Sequence, residues 1–409
     1  MRTLGPGGRL CAWAAALLLA GGARPARAQQ PVTREEAVAA ARAHGPRALR
    51  AAPDVATARA DVALARTFQN PTAIASYTGS VPTYHAELEI PLDFPWLRAA
   101  RVGAAQASLT SARFRYAFER AGARFDAEVA YVRASAAEAR ARVTRRNAAD
   151  ADSLLVLARL RREAGDASAL DVELATVAAG QLASASEADS LAAVGALLEL
   201  QAVMGLPSDR VTVALADSLA VPAVESDSVA GVRLLVAAAD ATLEAQERGL
   251  ALARRSILAA PSLTVGVEGG DPSGTEKGPL ATVGLALPLP LFNWNGGAIQ
   301  TAAAARDRSR VEAEVTRRES EAKVAAARRE LASALRRVAR DRALQESAQR
   351  VAAMSLLAYG EGAVALPSVL EAQRTAREAL ANTVADLAAA NVAAAALRLV
   401  TTTTGMEAP

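Results

Sequence analysis

The residue types that most often carry out chemistry are sparse in this chain. Its 409 residues include one cysteine and two histidines. His44 and His85 have no cysteine or acidic cluster at the spacing of a metal site, so we expect both to be ordinary surface residues. The pair Gly296-Gly297 opens a predicted helix without the remaining spacing of a nucleotide-binding fingerprint. With no recognisable nucleophile and base, the sequence predicts no enzyme, no metal centre and no cofactor.

The first 28 residues have the pattern of a cleaved secretory signal peptide. Arg2 and Arg9 precede an apolar stretch from Leu10 to Ala20, and Ala-Arg-Ala at 26–28 is a small-x-small cleavage pattern. Cys11 lies inside this segment, so we expect a mature chain without cysteine. Four of the 46 basic residues and none of the 43 acidic residues lie here, which leaves 42 against 43. The basic balance of the whole chain therefore gives no reason to expect a nucleic-acid partner.

The mature chain is apolar but carries charges throughout. The whole 409-residue chain is 52% hydrophobic and 22% charged, which is too apolar for a disordered chain. No stretch after residue 28 has 18 consecutive uncharged apolar residues, so we expect no membrane-spanning helix. A bilayer-embedded part of this protein would then have to be a closed β-barrel.

Two strand-like runs interrupt long alanine-rich helical sequence. The runs cover 71–92 and 261–290, each contains a turn rich in Gly, Pro and Ser, and each is followed by a tryptophan. These tryptophans, Trp96 and Trp294, are 198 residues apart. The pattern predicts two β-hairpins placed at equivalent positions in two copies of one unit.

A glycine turn recurs at nearly the same offset. Gly165 and Gly362 are 197 residues apart, and the distance from Trp96 to Glu163 equals that from Trp294 to Glu361, 67 residues. That length predicts a helical rod of about 100 Å, with a hairpin tip near each glycine. We therefore predict a first repeat over 29–227 and a second over 228–409.

The helices that return from the two tips are predicted in shorter pieces. In the first copy Leu170–Gly205 is followed by the linker 206–228, which we expect at the middle of the rods, and then by Val229–Leu258. In the second copy Val369–Thr401 needs a continuation, and we assign the amino-terminal helix Glu35–Phe68 to it. The two copies would then interlock.

The strand-like runs alternate between apolar and polar residues. In the first run, Tyr84, Ala86, Leu88 and Ile90 alternate with His85, Glu87 and Glu89. Arms of nearly ten residues are long enough to cross a bilayer core as tilted barrel strands. Four strands cannot close a barrel and would leave open edges, so we expect oligomerisation, with three chains giving twelve strands.

These features together resemble the TolC family of outer-membrane efflux channels over essentially the whole mature chain. The resemblance rests on the run Pro-Leu-Pro-Leu-Phe-Asn-Trp-Asn-Gly-Gly-Ala-Ile-Gln at 288–300, its counterpart at 90–98 and the two glycine turns. The run at 288–300 is most similar to the cobalt-zinc-cadmium resistance branch. The implied fold is mainly α, a long α-helical barrel with four strands per chain that contribute to a trimeric twelve-stranded outer-membrane β-barrel.

The resemblance also implies a function and partners. The protein would be a homotrimeric, passive duct in the outer membrane of a diderm bacterium, with a large periplasmic portion. It would contact outer-membrane lipid, a periplasmic adaptor protein and an inner-membrane pump of the RND type, and it would conduct substrates, heavy-metal cations among them. A periplasmic helical adaptor is the alternative, although it would need a single hairpin on a β-rich base. A general porin would need many more strands.

The resemblance assigns a periplasmic gate to the tips. Asp171 and Tyr359 take the places of a latching pair, and Glu371 takes that of a carboxylate ring at the constriction, where three copies would attract cations. Two positions depart from the family, because Ser368 replaces a second acidic residue and Val364 replaces a basic latch residue. The alternative for all three gate residues is a solvated helix end.

Other positions are expected to bind a partner or the membrane. The adaptor would dock on the tips, at Gly165, Leu170, Val172, Gly362, Leu366 and Val369. Trp96 and Trp294 would form an interfacial aromatic girdle. For the tryptophans, ordinary packing at a strand–helix junction is the alternative.

Overall fold

The computed structural model describes residues 30–223, 231–257, 261–270 and 278–404. The predicted signal peptide and part of the predicted linker lie outside the described residues, as does most of the loop in the second β-hairpin.

The same order of elements occurs twice along the chain. A short helix leads into a β-hairpin, a very long helix follows, and a shorter helix returns alongside it. The first copy consists of β1 (Gln30–Val32), α1 (Arg34–His44), α2 (Pro46–Arg66), β2 (Thr72–Tyr77), β3 (Tyr84–Pro91), α3 (Pro95–Glu163), α4 (Ala169–Val203) and β4 (Val213–Leu215). The second consists of α5 (Leu234–Arg255), β5 (Ser262–Gly269), β6 (Leu280–Ala286), α6 (Gly296–Gly360) and α7 (Leu366–Thr401). The prediction of a mainly helical fold with a small sheet is confirmed.

The two long helices have the predicted length. Helix α3 has 69 residues and α6 has 65, so each rod is about 100 Å long. Alanine supplies 10 of the 19 buried residues of α3. Because alanine side chains are small, neighbouring rods can pack closely along their length. Helix α4 lies along α3, and α7 lies along α6.

The short helices stack differently from the prediction. The end of α4 meets the end of α1. Gly205, just after α4, lies so close to the carbonyl of His44 that a side chain at Gly205 would overlap it. The end of α7 meets α5, where the amide of Leu234 donates to the carbonyl of Thr402 at 3.0 Å. Helix α2 directly follows α1, so α2 continues the line of α4, and α5 continues the line of α7. The predicted interlocking of the two copies was therefore wrong.

The physical reason is the direct connection between each short helix and its own hairpin. Helix α2 leads through β2 and β3 into α3, so it returns against that helix, and Val62 packs on Leu109 within one apolar cluster. Helix α5 lies against α6 in the same way, with Arg317 donating to Asp240 at 2.7 Å. Each repeat therefore completes its own rod.

A small sheet joins the segments at the middle of the rods. Strand β1 pairs in parallel with β4 in the linker. The buried hydroxyl of Tyr131 on α3 donates to the carbonyl of Val32 at 3.0 Å and accepts from the amide of Asp217 at 2.9 Å. Asn391 on α7 donates to the carbonyl of Ala220 at 2.8 Å, so the linker contacts both repeats.

The larger sheet has four antiparallel strands in the order β2-β3-β5-β6. The strands have six, eight, eight and seven residues, which is shorter than the predicted arms of nearly ten. Prolines limit them: Pro71 precedes β2, Pro91 ends β3 and Pro261 precedes β5. Proline has no amide hydrogen to donate to a neighbouring strand.

Helix α7 is the one helix among the described residues that is apolar and long enough to cross a membrane, judged by length and composition. It packs along α6, where Leu387 and Ala390 are buried against Ala334 and Val338. A core helix of a bundle satisfies the same criteria, and the packing on α6 supports that interpretation.

Candidate functional site: the sheet face and the helical tips

The strand register places most apolar residues of the strands on one face of the sheet, with Ile74, Leu280 and Ala286 as exceptions on the other face. Directly opposed residues on antiparallel strands share a face, so the pairing defines both surfaces. One face carries Ala73, Ala75, Tyr77, Tyr84, Ala86, Leu88, Ile90, Leu263, Val265, Val267, Ala281, Val283 and Leu285. We call it the apolar face. The opposite, polar face includes His85, Glu87, Glu89, Ser262, Thr264, Glu268 and Thr282.

The apolar face is the exposed one. Val283 is 75% exposed, Leu285 68% and Val265 43%. On the polar face, His85 Nδ1 lies 3.3 Å from Glu268 Oε1, and Ser262 donates to Glu89 at 2.6 Å. A half-buried sheet in a water-soluble protein turns its apolar residues towards a core. This sheet has the opposite arrangement, so its apolar face needs an apolar environment outside the protomer.

Both edges of this sheet end on a strand with a single neighbour. Strand β2 pairs only with β3, and β6 only with β5, within the described part of the chain. An open edge exposes backbone amide and carbonyl groups and is a template for further strand pairing. A second copy of the same chain can pair its β2 with this β6, and the repetition closes when the rotation suits a ring.

The two tryptophans lie where the sheet meets the long helices. Trp96, in the first turn of α3, is 57% exposed and stacks on Phe94 with ring centroids 4.4 Å apart. Trp294 precedes α6 and is 65% exposed. Trp96 thus combines local packing with exposure, and an aromatic girdle stays a prediction for both residues.

The two tips have the same backbone geometry. At the end of α3, Gly165 has φ +85° and Asp166 donates its amide to the carbonyl of Arg161 at 2.8 Å. At the end of α6, Gly362 has φ +81° and Ala363 donates to the carbonyl of Ala358 at 2.8 Å. Glycine adopts the left-handed conformation without steric cost, and this bonding pattern ends a helix. The structure therefore places both turns at the glycines found in the sequence.

The starts of the two return helices differ. Ser168 and Asp171 form a capping box at α4: the Ser168 amide and hydroxyl donate to one Asp171 carboxylate oxygen at 2.9 and 2.8 Å, and the Ser168 hydroxyl accepts from the Asp171 amide at 3.1 Å. The equivalent positions at α7 are Ala365 and Ser368, and Ala365 makes no side-chain cap. A capping box satisfies amides that the first turn leaves free.

The predicted gate residues Asp171 and Tyr359 lie near each other. Tyr359 is 4% exposed, and its hydroxyl has no hydrogen-bond partner among the described residues. Burial raises the pKa of the Tyr359 phenol, the nearby Arg161 opposes the shift, and the negative charge of Asp171 adds to it. The carboxylate of Asp171 is at the same time bonded to Ser168. The latch between Asp171 and Tyr359 stays a prediction.

Glu371 lies on the exposed first turns of α7. The Arg374 guanidinium donates to both of its carboxylate oxygens, at 2.7 and 3.0 Å. This contact lowers the pKa of Glu371, so the carboxylate is charged at neutral pH. Because Arg374 also contacts Glu378 at 2.9 Å, the local charge of the three side chains is one negative unit. A cation-attracting ring at Glu371 would have that reduced charge.

Two predicted docking residues are in the interior instead. Leu366 and Val369 are fully buried in a cluster with Leu154, Ala158, Ala175 and Tyr359. This cluster joins the two helical hairpins. Both side chains are covered within the protomer in this conformation, and their role in adaptor docking stays a prediction. Leu170 is 66% exposed and Val172 is partly buried beside the cluster, so Leu170 stays available for docking.

The sequence reasoning missed one residue at the tips, Arg161. Its guanidinium carbon lies 4.7 Å from the centroid of the Tyr359 ring, and Nη1 donates to the Tyr359 carbonyl. The contact joins α3 to α6 across 198 positions in sequence. The only sequence signal was an arginine in the last turn of a helix, which is common because basic residues favour helix carboxyl ends.

No protein-family model and no curated protein sequence matches the chain. Solved structures do match it. A membrane protein from Pseudomonas aeruginosa is 19% identical, with a TM-score of 0.77 over 90% of this chain and 93% of that one. The outer membrane protein VceC from Vibrio cholerae is 16% identical, with a TM-score of 0.75 over 90% and 95%. The CmeC outer membrane channel of Campylobacter jejuni is 14% identical, with a TM-score of 0.78 over 91% and 86%.

The likeness covers nearly the full length of each structure. Because the identities are low, the likeness defines a class of fold. The chain has the fold of TolC-like outer-membrane channels, as the sequence features predicted.

Proposed function

We propose that the protein is the outer-membrane channel of a tripartite efflux system and acts as a homotrimer. The observation that carries the proposal is the exposed apolar face of a sheet whose two edges are open and whose ends continue into rods of about 100 Å. Lipid covers the apolar face. Three copies pair β6 of one with β2 of the next and close a twelve-stranded barrel, which removes the open edges.

The rods then form a tunnel through the periplasm below this barrel. A periplasmic adaptor docks at the helical tips, where Leu170 is exposed, and an inner-membrane pump of the RND type supplies the substrate and the energy. The channel itself performs no reaction. Asp171, Tyr359 and Glu371 contribute to the closed entrance at the tips, and Trp96 and Trp294 lie at the periplasmic interface of the barrel.

Heavy-metal cations are the proposed cargo. The run at 288–300 resembles the cobalt-zinc-cadmium resistance branch, and the polar face supports cation passage because Glu87, Glu89 and Glu268 point towards the inside of the closed barrel. Threefold symmetry makes each position a ring of carboxylates, which attracts cations. His85 pairs with Glu268 and adds no negative charge.

The assembly is tested by fractionating membranes and running the product on a denaturing gel with and without heating. We expect the unheated protein in the outer-membrane fraction as a trimer-sized band that becomes a monomer on heating. Purified trimers should open pores in planar bilayers. A monomer in the soluble periplasmic fraction would overturn the proposal and favour the adaptor alternative.

The cargo is tested by ion selectivity and by resistance. In planar bilayers we expect the reversal potential to indicate cation preference, and substitution of Glu87 and Glu89 by Gln should reduce it. Loss of the gene should sensitise cells to zinc or cobalt salts. Sensitivity to dyes and antibiotics alone would contradict the metal assignment while leaving the channel intact.

A further inference from the structure

Arg161 makes three contacts at the junction of the two helical tips. Its Nη1 donates to the backbone carbonyl of Tyr359, near the end of α6. Its guanidinium lies over the Tyr359 ring, 4.7 Å from the centroid. A Cβ atom at Gly362 would lie 3.4 Å from Nη2, so the guanidinium also lies against the turn that ends α6.

Each contact uses a specific property of arginine. The carbonyl groups at a helix carboxyl end are partly negative and favour a cation. A planar guanidinium can stack on an aromatic face while its N–H groups donate in the plane, which a lysine ammonium cannot do. The Arg161 side chain therefore binds the end of α6 through the Tyr359 carbonyl and through the face of the Tyr359 ring. The Tyr359 hydroxyl takes no part.

The other charged groups of the gate bind within their own hairpin. Asp171 bonds to Ser168 at the start of α4, and Glu371 bonds to Arg374 on α7. In the described tips, Arg161 makes the charged contact that crosses from the first hairpin to the second. It does so beside the buried cluster that contains Tyr359, Leu366 and Val369.

The second repeat lacks the residues that form this contact. The position equivalent to Arg161 in the second copy, 197 residues later, is Ala358, and that equivalent to Tyr359 is Arg162. The second hairpin therefore has no matching arginine to offer to the next protomer. The contact ties the two hairpins of one protomer and leaves the junction between protomers to other residues.

We propose that Arg161 is the positioning residue that holds the second hairpin against the first and so keeps the entrance of the pore closed, an inference that rests on the proposed channel function. Opening the tips moves α6 away from α3 and breaks all three contacts together. Val364 carries no charge, and Arg161 supplies a cation at this junction.

The first experiment compares single-channel conductance of purified trimers in planar bilayers. We expect Arg161→Ala to raise conductance at least twofold and Arg161→Lys to be intermediate, because lysine can donate to the carbonyl but cannot stack in the same way. Arg162→Ala removes the same charge from the exposed neighbouring position and is expected to match the parent. Tyr359→Phe keeps the ring face and the carbonyl, so it tests the Tyr359 hydroxyl alone.

A latch through the Tyr359 hydroxyl alone predicts that Tyr359→Phe raises conductance while Arg161→Ala leaves it unchanged. That result would overturn the assignment to Arg161. Thermal unfolding of the same trimers separates gating from folding, since a higher conductance at an unchanged melting temperature is not expected from general destabilisation.

A second measurement does not require conduction. The mature chain as predicted has no cysteine, so Leu170→Cys and Leu357→Cys, both at exposed positions, accept spin labels on the two tips. In trimers diluted with unlabelled protein, we expect Arg161→Ala to broaden the distance distribution between the labels, and Arg162→Ala to leave it unchanged. An unchanged distribution in Arg161→Ala would overturn the inference. If the parent protein formed no pore but Arg161→Ala still broadened the distance distribution, only the channel function would be contradicted.

Discussion

The backbone amide of Leu234 donates to the carbonyl of Thr402 at 3.0 Å, which joins the start of α5 to the end of α7. The side chain of Leu234 is 1% exposed and packs against Ala117 and Ala121 of α3. One residue therefore connects three helices at the middle of the protomer. Its position explains how two separate helices behave as one continuous return rod beside α6.

We expect Leu234→Ala to reduce the free energy of unfolding by about 2–5 kcal/mol, because it leaves a cavity among helices that cannot close around it. Leu235→Ala is the matched control, since Leu235 is only partly buried and should cost less. Guanidinium-induced loss of helical circular dichroism measures both. Equal losses in the two variants would show that the junction does not depend on Leu234.

Which parts of this fold could be predicted from sequence depends on the range of the signal. The hairpins, the rods and the tips follow from local patterns. These are the alternation in the strands, the spacing of about 67 residues from each tryptophan to the end of its long helix, and Gly165 and Gly362, which adopt positive φ. The stacking of the short helices could not be predicted in this way. An end-to-end junction such as that of Leu234 with Thr402 leaves no periodic pattern.

The candidate site divides along the same line. The two faces of the sheet could be predicted, because alternation in a strand fixes which side chains share a side. Contacts between the tips could not. Leu366 and Val369 resemble docking residues in sequence but are covered by Leu154 and Ala158, which lie some 200 positions earlier. Arg161 gave no signal either, because its partner is a backbone carbonyl, which any residue type provides.

Substitutions at adjacent positions of β5 should separate the two faces of the sheet. Val265 belongs to the apolar face and Thr264 to the polar face, near the middle of the strand. We expect Val265→Arg to cost about 2–4 kcal/mol per protomer, because the charge would enter the bilayer. Thr264→Arg should be tolerated, since it lies opposite Glu89.

The yield of heat-modifiable trimer in the outer-membrane fraction measures this difference. The conservative pair Val265→Ile and Thr264→Ser controls for changes in strand geometry. If Thr264→Arg lost the trimer and Val265→Arg kept it, the faces would be reversed and the apolar face would not contact lipid.

A pair of carboxyl groups between α6 and α7 should make stability depend on pH. A hydrogen bond from Asp341 to Asp386, together with burial, raises the pKa of Asp341, and the same bond lowers that of Asp386. Arg337 donates to Asp386 at 3.0 Å, and Arg340 contacts Asp341 at 3.3 Å. The pair therefore shares one proton most favourably between its two shifted pKa values.

The direction of the pH dependence follows from the coupling between proton binding and folding. A raised pKa in the folded chain stabilises it at low pH, and this stabilisation is lost as the pH rises through the Asp341 value. Asp341→Asn donates the same hydrogen bond without a titrating proton. We expect it to melt at a higher temperature than the parent at pH 7, with the difference vanishing near pH 4, around the ordinary pKa of aspartate. Asp386→Asn removes the charge that faces Arg337 and should not show this gain.

The capping box at α4 offers a test of what Asp171 does. Ser168→Ala removes the side-chain cap and should cost about 1 kcal/mol of stability. Asp171→Ala removes the reciprocal half of the box and, under the latch prediction, also the contact with Tyr359. Both variants should therefore lower the melting temperature, whereas only Asp171→Ala should raise the conductance of single channels. Asp171→Ala combined with Tyr359→Phe should raise it no further if the two residues act as one latch.

The second repeat supplies the control, because Ala365 has the position of Ser168 without a side-chain cap. Ala365→Ser gives α7 the missing hydroxyl and is expected to raise the melting temperature while conductance stays at the parental value. If Ser168→Ala opened the channel as much as Asp171→Ala, then fraying of the first turn of α4 would account for opening. In that case Asp171 would act on the gate through helix capping, and the tie formed by Arg161 would remain as the contact between the hairpins.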